Sequence, residues 1–260
     1  MKNTNRIKYI FEDNDIIILS KSAGLLTLPD RYDKSEICLI NILKSRYGDV
    51  FTVHRLDRET SGVMVFAKNA ESHKNLNEQF QERTVKKLYH AVVAGIVTKD
   101  DMEIDIPLMT DPSNKAIVKP SARGKESLTK LKVLERFRIG TLVELELITG
   151  RHHQIRVHCK AIGHPLLVDE LYGSASEFLV SSIKRKYNIK KNEQEKPIIS
   201  RVTMHSYSLA FKHPCNSDSI QNGAMISFIA EYPKDFSALV QVLRKYSKLP
   251  DYYLKSNNLY

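Results

Sequence analysis

Apolar residues recur along this chain in two rhythms, and each rhythm predicts an element. Unbroken apolar runs predict covered strands: "DIIILSK" (15–21), which ends in the loop "SAGLLTLPD", and Val63–Ala67, apolar at every position and so covered on both faces. Strict alternation predicts a half-buried antiparallel pattern. Val143, Leu145 and Leu147 alternate with Glu144 and Glu146, and "LTKLKVLERF" pairs with "TLVELELITG" as a hairpin around Ile139-Gly140. "KKLYHAVVAG" (86–95), "MHSYSLAFKHP" and "MISFIAEYP" complete the predicted strands.

The helical period appears four times. "SEICLINILKSRYG" places Leu39, Ile42 and Leu43 on one face, with Ser35 as the expected cap and Gly48 as the stop. Residues 69–83 form an amphipathic helix with Leu76 and Phe80 one turn apart. "RHHQIRVHCKAIG" (151–163) lines up Ile155, Cys159 and Ile162 and ends at Gly163. "KDFSALVQVLRKYS" is the fourth. Strands and helices in mixed order with hairpins predict an α+β fold rather than a regular βαβ winding. One stretch breaks the pattern: residues 174–199, with a lysine-rich centre at 182–197, predict a basic surface excursion from a single domain spanning 1–260.

Composition narrows the function. The net charge is +10 over 260 residues, which favours a polyanionic partner, since cations that neutralise phosphates release counterions. Cys38, Cys159 and Cys215 make no C-x-x-C pair and no even disulfide framework, as expected of reduced thiols in the cytoplasm. The start turns acidic before an apolar h-region can form and no apolar run approaches a membrane span, so neither a signal peptide nor a membrane partner is expected.

Several chemistries are excluded by their motifs. Neither G-x-x-x-x-G-K-[ST] nor G-x-G-x-x-G occurs. "HRLDRETS" differs from the kinase loop in the order of Leu and Asp, and no D-F-G follows. His152, His153, His158 and Cys159 could suggest a metal. On a helix, however, His152 and His153 point about 100° apart, no second ligand motif supports them, and no metal is expected. Two features remain. Asp57 is bracketed by Arg55 and Arg58 and stands beside the apolar strand, and Thr149-Gly150-Arg151 turns a strand into a helix whose free N–H groups could hold an anion. An arginine such as Arg55 or Arg156 against Asp57 would keep it ionised, as a nucleophile or electrostatic stabiliser. A structural ion pair would look the same at this level.

The ordered set "HRLDRETSGVMVFAK", "KKLYHAVVAG", "TGRHHQIRVHCKAIGHPLLVDELYG" and "MHSYSLAFKHP", preceded by "EDNDIIILSKSAGLLTLP", resembles the RluA-type RNA pseudouridine synthases. The likeness runs from about Glu12 to Pro214. It implies an α+β core whose mainly antiparallel central sheet, with flanking helices, is divided by a catalytic cleft. It also implies isomerisation of uridine to pseudouridine in rRNA or tRNA stem-loops with the target base flipped out and no cofactor. By the same resemblance Asp57 is the catalytic aspartate, Tyr89 lies against the uracil and Arg156 pairs with the aspartate. Arg55 enters the RNA helix, with His54, Arg58, Arg151 and His153 as further RNA contacts.

The chain departs from the family pattern at Ser22, where proline is common, at His152, and at Val168, where glycine is common. A monomer without a separate N-terminal RNA-binding module is expected. The alternative is a catalytically silent RNA-binding protein of the same fold.

Overall fold

The computed structural model describes residues 7–30, 33, 35–184, 187, 194–214 and 225–250. The expected single domain divides into two compact units that interleave along the chain: Met1–Tyr89 with His205–Tyr232, and His90–Met204 with Pro233–Tyr260. Elements are numbered along the chain.

In the first unit β1 (Ile7–Glu12) pairs antiparallel with β2 (Ile16–Lys21), and β2 with β4 (Ser61–Ala67). The short β3 (Phe51–Thr52) pairs with the end of β4. β11 (Met204–Lys212) runs parallel to β4, with His205 opposite Ser61 and Ser206 opposite Gly62, and β12 (Met225–Ile229) pairs antiparallel with β11. The continuous apolar run has the covering it predicts, because Val63 to Ala67 are all fully buried. Ile16, Ile18, Val63, Val65, Leu76, Leu209 and Phe211 form one cluster, each side chain contributing roughly 1.5–3 kcal/mol by leaving water.

α2 (Ala70–Gln81) lays Leu76 and Phe80 on this cluster, and the Asn69 side chain caps it by accepting the Ser72 N–H at 2.8 Å. α1 (Leu39–Tyr47) starts later than the sequence suggests. Ser35 bonds Asp33 in an exposed turn instead of capping. The first helical N–H groups, of Leu39 and Ile40, donate to the carbonyls of Leu26 and Thr27 at 2.8 and 3.2 Å, so a neighbouring segment does the work of a cap.

The second unit is a sheet of order β5-β10-β9-β6, built from the later part of β5 (Lys86–Ala94), β10 (Gly140–Leu147), β9 (Leu128–Arg136) and β6 (Asp101–Asp105). The hairpin β9–β10 turns at Ile139-Gly140 as its alternation predicts, with a bulge at Leu142/Val143. A two-stranded ribbon, β7 (Leu108–Thr110) with β8 (Val118–Pro120), is too short to show a period in the sequence. α3 (Gln154–Ala161) presents Val157 to Leu108, Val118 and Tyr172. α4 (Lys234–Tyr246) buries Phe236, Leu239, Val240 and Leu243. The excursion is anchored where buried Phe178 bridges Ile199, with a 3-10 turn at Val180–Ser182. Its residues Arg185, Lys186, Lys190 and Lys191 lie outside the described residues. The fold is α+β and mainly antiparallel, and no described helix is long and apolar enough to cross a membrane.

Candidate active site

Asp57 sits half-exposed in a turn that is pinned on both sides. Before it, the Thr27 hydroxyl donates to the Leu56 carbonyl at 2.8 Å and accepts the Leu56 N–H at 3.3 Å, fixing both backbone groups of the preceding residue. After it, the Arg58 carbonyl accepts from Gly24 N–H at 2.8 Å and from the Lys21 ammonium at 3.1 Å. Lys21 is fully buried and also donates to the carbonyls of Leu25 at 2.7 Å and Ser22 at 3.1 Å. The turn closes with Thr60 N–H donating to the Asp57 carbonyl at 3.1 Å. A buried ammonium shared among three carbonyls satisfies acceptors that a tight turn leaves over. Arg55 is exposed, and Arg58 is ion-paired with Glu36.

His54 has a different place from the one its sequence suggests. Its Nε2 accepts the Val65 N–H at 3.1 Å, where β3 has ended and no backbone acceptor remains, and its ring stacks on Phe80 at 5.0 Å. Burial of the ring, helped by the nearby Lys87 charge, pushes its pKa down to about 3. The neutral ring, bonded to β4 and stacked on α2, acts as a peg of the first unit.

Tyr89, on the same unit, is 7% exposed. Burial is the main cause that pushes its phenol up to about 12. A hydrogen bond with Ser206 works against this, and the charge of Asp57 adds to it. Tyr89 therefore stays a protonated phenol at neutral pH, able to stack and to donate. The structure thus brings Asp57 and Tyr89 within electrostatic reach of each other.

In the second unit the 149–156 segment is set by a directional chain of hydrogen bonds. The Thr149 hydroxyl accepts Leu128 N–H at 2.9 Å and donates to the Gln154 amide oxygen at 2.8 Å, which also accepts Arg151 N–H at 3.0 Å. The Gln154 amide donates to the Thr129 hydroxyl at 2.9 Å, which bonds His158 Nδ1 at 2.9 Å, and His158 Nε2 reaches the Ile106 carbonyl at 3.0 Å. His153 adopts the left-handed conformation, φ 54°, so the helix begins at Gln154 rather than at Arg151. His152 and His153 are therefore off the helix, and their rings stack at 3.7 Å instead of diverging by 100°. The Arg151 Nε donates to the Glu126 carbonyl at 3.1 Å.

Arg156 forks onto Asp169, with Nε and Nη2 each donating to a carboxylate oxygen at 2.7 Å. Burial alone would raise the Asp169 pKa, but the Arg156 hydrogen bond and charge, with the N–H groups of Tyr172 and Leu171, hold it below the usual range. The Tyr172 ring lies 4.9 Å under the guanidinium, and its hydroxyl accepts Val118 N–H at 2.8 Å while bonding His153 Nδ1 at 2.9 Å. Of these supporting residues, the sequence shows Lys21, Thr27, Gln154 and Asp169 only as letters of longer motifs.

A sequence profile of the family described as RNA pseudouridylate synthase matches residues 15–161. A ribosomal large subunit pseudouridine synthase D of Neisseria meningitidis serogroup B is 37% identical over 243 residues, 90% of this chain and 60% of the relative, so the chain spans less than two thirds of that protein. A dual-specificity RNA pseudouridine synthase RluA of Vibrio parahaemolyticus is 34% identical over 249 residues, 94% of this chain and 91% of the relative. Among solved structures, human RNA pseudouridylate synthase domain containing 4 shares the fold, with a TM-score of 0.66 and 22% identity over 94% of this chain and 95% of that one. The profile alone covers more than half of the residues, and with such relatives the chain belongs to the RNA pseudouridylate synthase family.

Proposed function

We propose that this chain isomerises uridine to pseudouridine in rRNA or tRNA, breaking the bond from the sugar C1′ to N1 of uracil and forming one from C1′ to C5, with C5 losing its proton and N1 gaining one. One observation supports the reading above the others: a half-exposed carboxylate, Asp57, held by its backbone neighbours beside the buried phenol of Tyr89, in a chain of this family. A base in a stack is out of reach, so the target is extruded at roughly a few kcal/mol. Asp57 acts on the extruded nucleoside as nucleophile or as stabiliser of a cationic sugar. Tyr89 offers its ring face and a proton that remains bound below about pH 12. Arg156 supplies fixed positive charge, with Arg55, Arg58, Arg151 and His153 as contacts to the RNA. The enzyme works as a cytoplasmic monomer and needs no cofactor.

The test is Asp57→Asn, assayed by pseudouridine formation on transcribed tRNA and rRNA fragments. The amide keeps the shape and loses the charge, so product formation falls by at least about a hundredfold while RNA affinity changes little. Activity within tenfold of the unchanged protein, or release of free uracil in place of pseudouridine, contradicts the assignment.

A further inference from the structure

The second unit carries another concentration of positive charge, built by three chain segments. Lys184 follows the 3-10 turn of the excursion, α4 ends in Lys245 and Tyr246 with Lys248 just beyond, and Arg138 occupies the β9–β10 turn. The Lys184 ammonium lies 5.4 Å from the centre of the Tyr246 ring and 5.5 Å from that of Tyr187. The Lys245 ammonium lies 5.3 Å from the same Tyr246 ring. Arg138 donates its Nη2 to the Tyr246 carbonyl at 2.6 Å and its backbone N–H to the Ser247 carbonyl at 2.7 Å, and Phe137 bridges Lys248.

Among the described residues none of Lys184, Lys245, Lys248 and Arg138 makes an ion pair. The lysines on β9 in the same unit are treated otherwise. Lys130 stands between Glu103 and Glu146 across the strands, and Lys132 between Asp101 and Glu144, so each is flanked by two acids. The C-terminal end of a helix favours cations through its dipole, which accounts for Lys245. It does not account for Lys184 or Arg138, which come from other segments. Their gathering around one tyrosine sets up mutual repulsion that a polyanion would relieve. Tyr187, one of the rings beside Lys184, is 36% exposed.

We propose that this patch is a second RNA contact, gripping phosphates of the substrate's backbone, separate from the recognition of the target base. It rests on the reading of the chain as a synthase acting on RNA. The partner fits by charge and by the mixture of cations with aromatic rings, the composition that binds single strands without reading sequence.

The experiment replaces Lys184, Lys245 and Lys248 together by Gln in the full chain, leaving Arg138, which supports the Tyr246 carbonyl. Affinity for a transcribed stem-loop that the unchanged protein modifies is measured against salt concentration, with thermal unfolding as the control for folding. Every phosphate that the variant no longer neutralises lowers the slope of log affinity against log salt by roughly 0.7–0.9, so the slope falls by about two to three. The modified uridine and the turnover at saturating RNA stay the same. The paired variant K130Q/K132Q leaves the slope unchanged.

An unaltered slope in the triple variant, or an equal fall in the paired one, overturns the patch while leaving the synthase intact. Loss of binding to vesicles of anionic lipid with RNA binding unchanged assigns the patch to a membrane and overturns it equally. An unchanged protein that neither binds RNA nor makes pseudouridine defeats the parent reading, and this one with it.

Discussion

His54 shows how one side chain can carry a pH dependence that its neighbours in sequence conceal. In the folded protein its pKa lies near 3, against about 6.5 in an unfolded chain. The unfolded state therefore takes up a proton below about pH 6.5 that the folded state refuses until about pH 3. Stability from this group is complete above pH 6.5 and is lost as the pH falls toward 3. Between pH 6.5 and 5 the loss is about 1–2 kcal/mol. His54→Gln keeps an acceptor for the Val65 N–H but does not titrate, so urea unfolding of the variant loses that much less stability over the same interval. Equal pH dependence in both proteins contradicts a neutral, engaged imidazole. The sequence makes Asp57, Tyr89 and Arg156 legible as candidates because they stand in long ordered motifs. It could not reveal the duty of His54, since an amide eleven residues away needs an acceptor only once β3 has stopped short. Nor could it show that Asp169 takes a fork of hydrogen bonds from Arg156, because a carboxylate thirteen residues on looks like any other acid until the chain turns.

Elements with one clean pattern could be read directly: the unbroken run of β4, the stripes of α2 and α4, and the alternation of the β9–β10 hairpin beyond its bulge at Leu142/Val143. Ends set by distant partners could not. α1 begins where the carbonyls of Leu26 and Thr27 receive its first N–H groups, and α3 begins one residue after a left-handed histidine. Gly62 is a further case. It has φ 126°, and a Cβ placed on it would lie 2.1 Å from the Ser206 carbonyl oxygen, backbone against backbone, where β4 and β11 run side by side. Gly62→Ala therefore forces the two strands apart and puts strain into an unfavourable φ. The expected cost is about 3 kcal/mol or more, read as a lower denaturation midpoint at unchanged slope. A loss under about 1 kcal/mol shows that the strands can yield there.

At the scale of the molecule, the α+β class followed from the mixed order of periods, whereas the interleaving of two units did not, because it depends on which strand lies beside which. Each unit draws on two separated stretches of chain. A fragment ending at residue 89 holds Asp57 and Tyr89 but lacks β11 and β12, and with them Leu209, Phe211 and Ala230 of the first core. Such a fragment stays unfolded or aggregates, seen by circular dichroism and size-exclusion chromatography, while addition of a peptide spanning residues 205–232 restores some structure. A cooperative unfolding transition from the fragment alone contradicts the partition. The same interleaving governs synthesis on the ribosome. β4 is made early, yet its parallel partner leaves the exit tunnel about 140 residues later, roughly 7–30 s at ordinary elongation rates. For that time the start of β4, Ser61 and Gly62, lacks the strand that closes the sheet beside it, while β3 already covers its far end, so the nascent protein carries an open backbone edge next to its core until His205 has emerged.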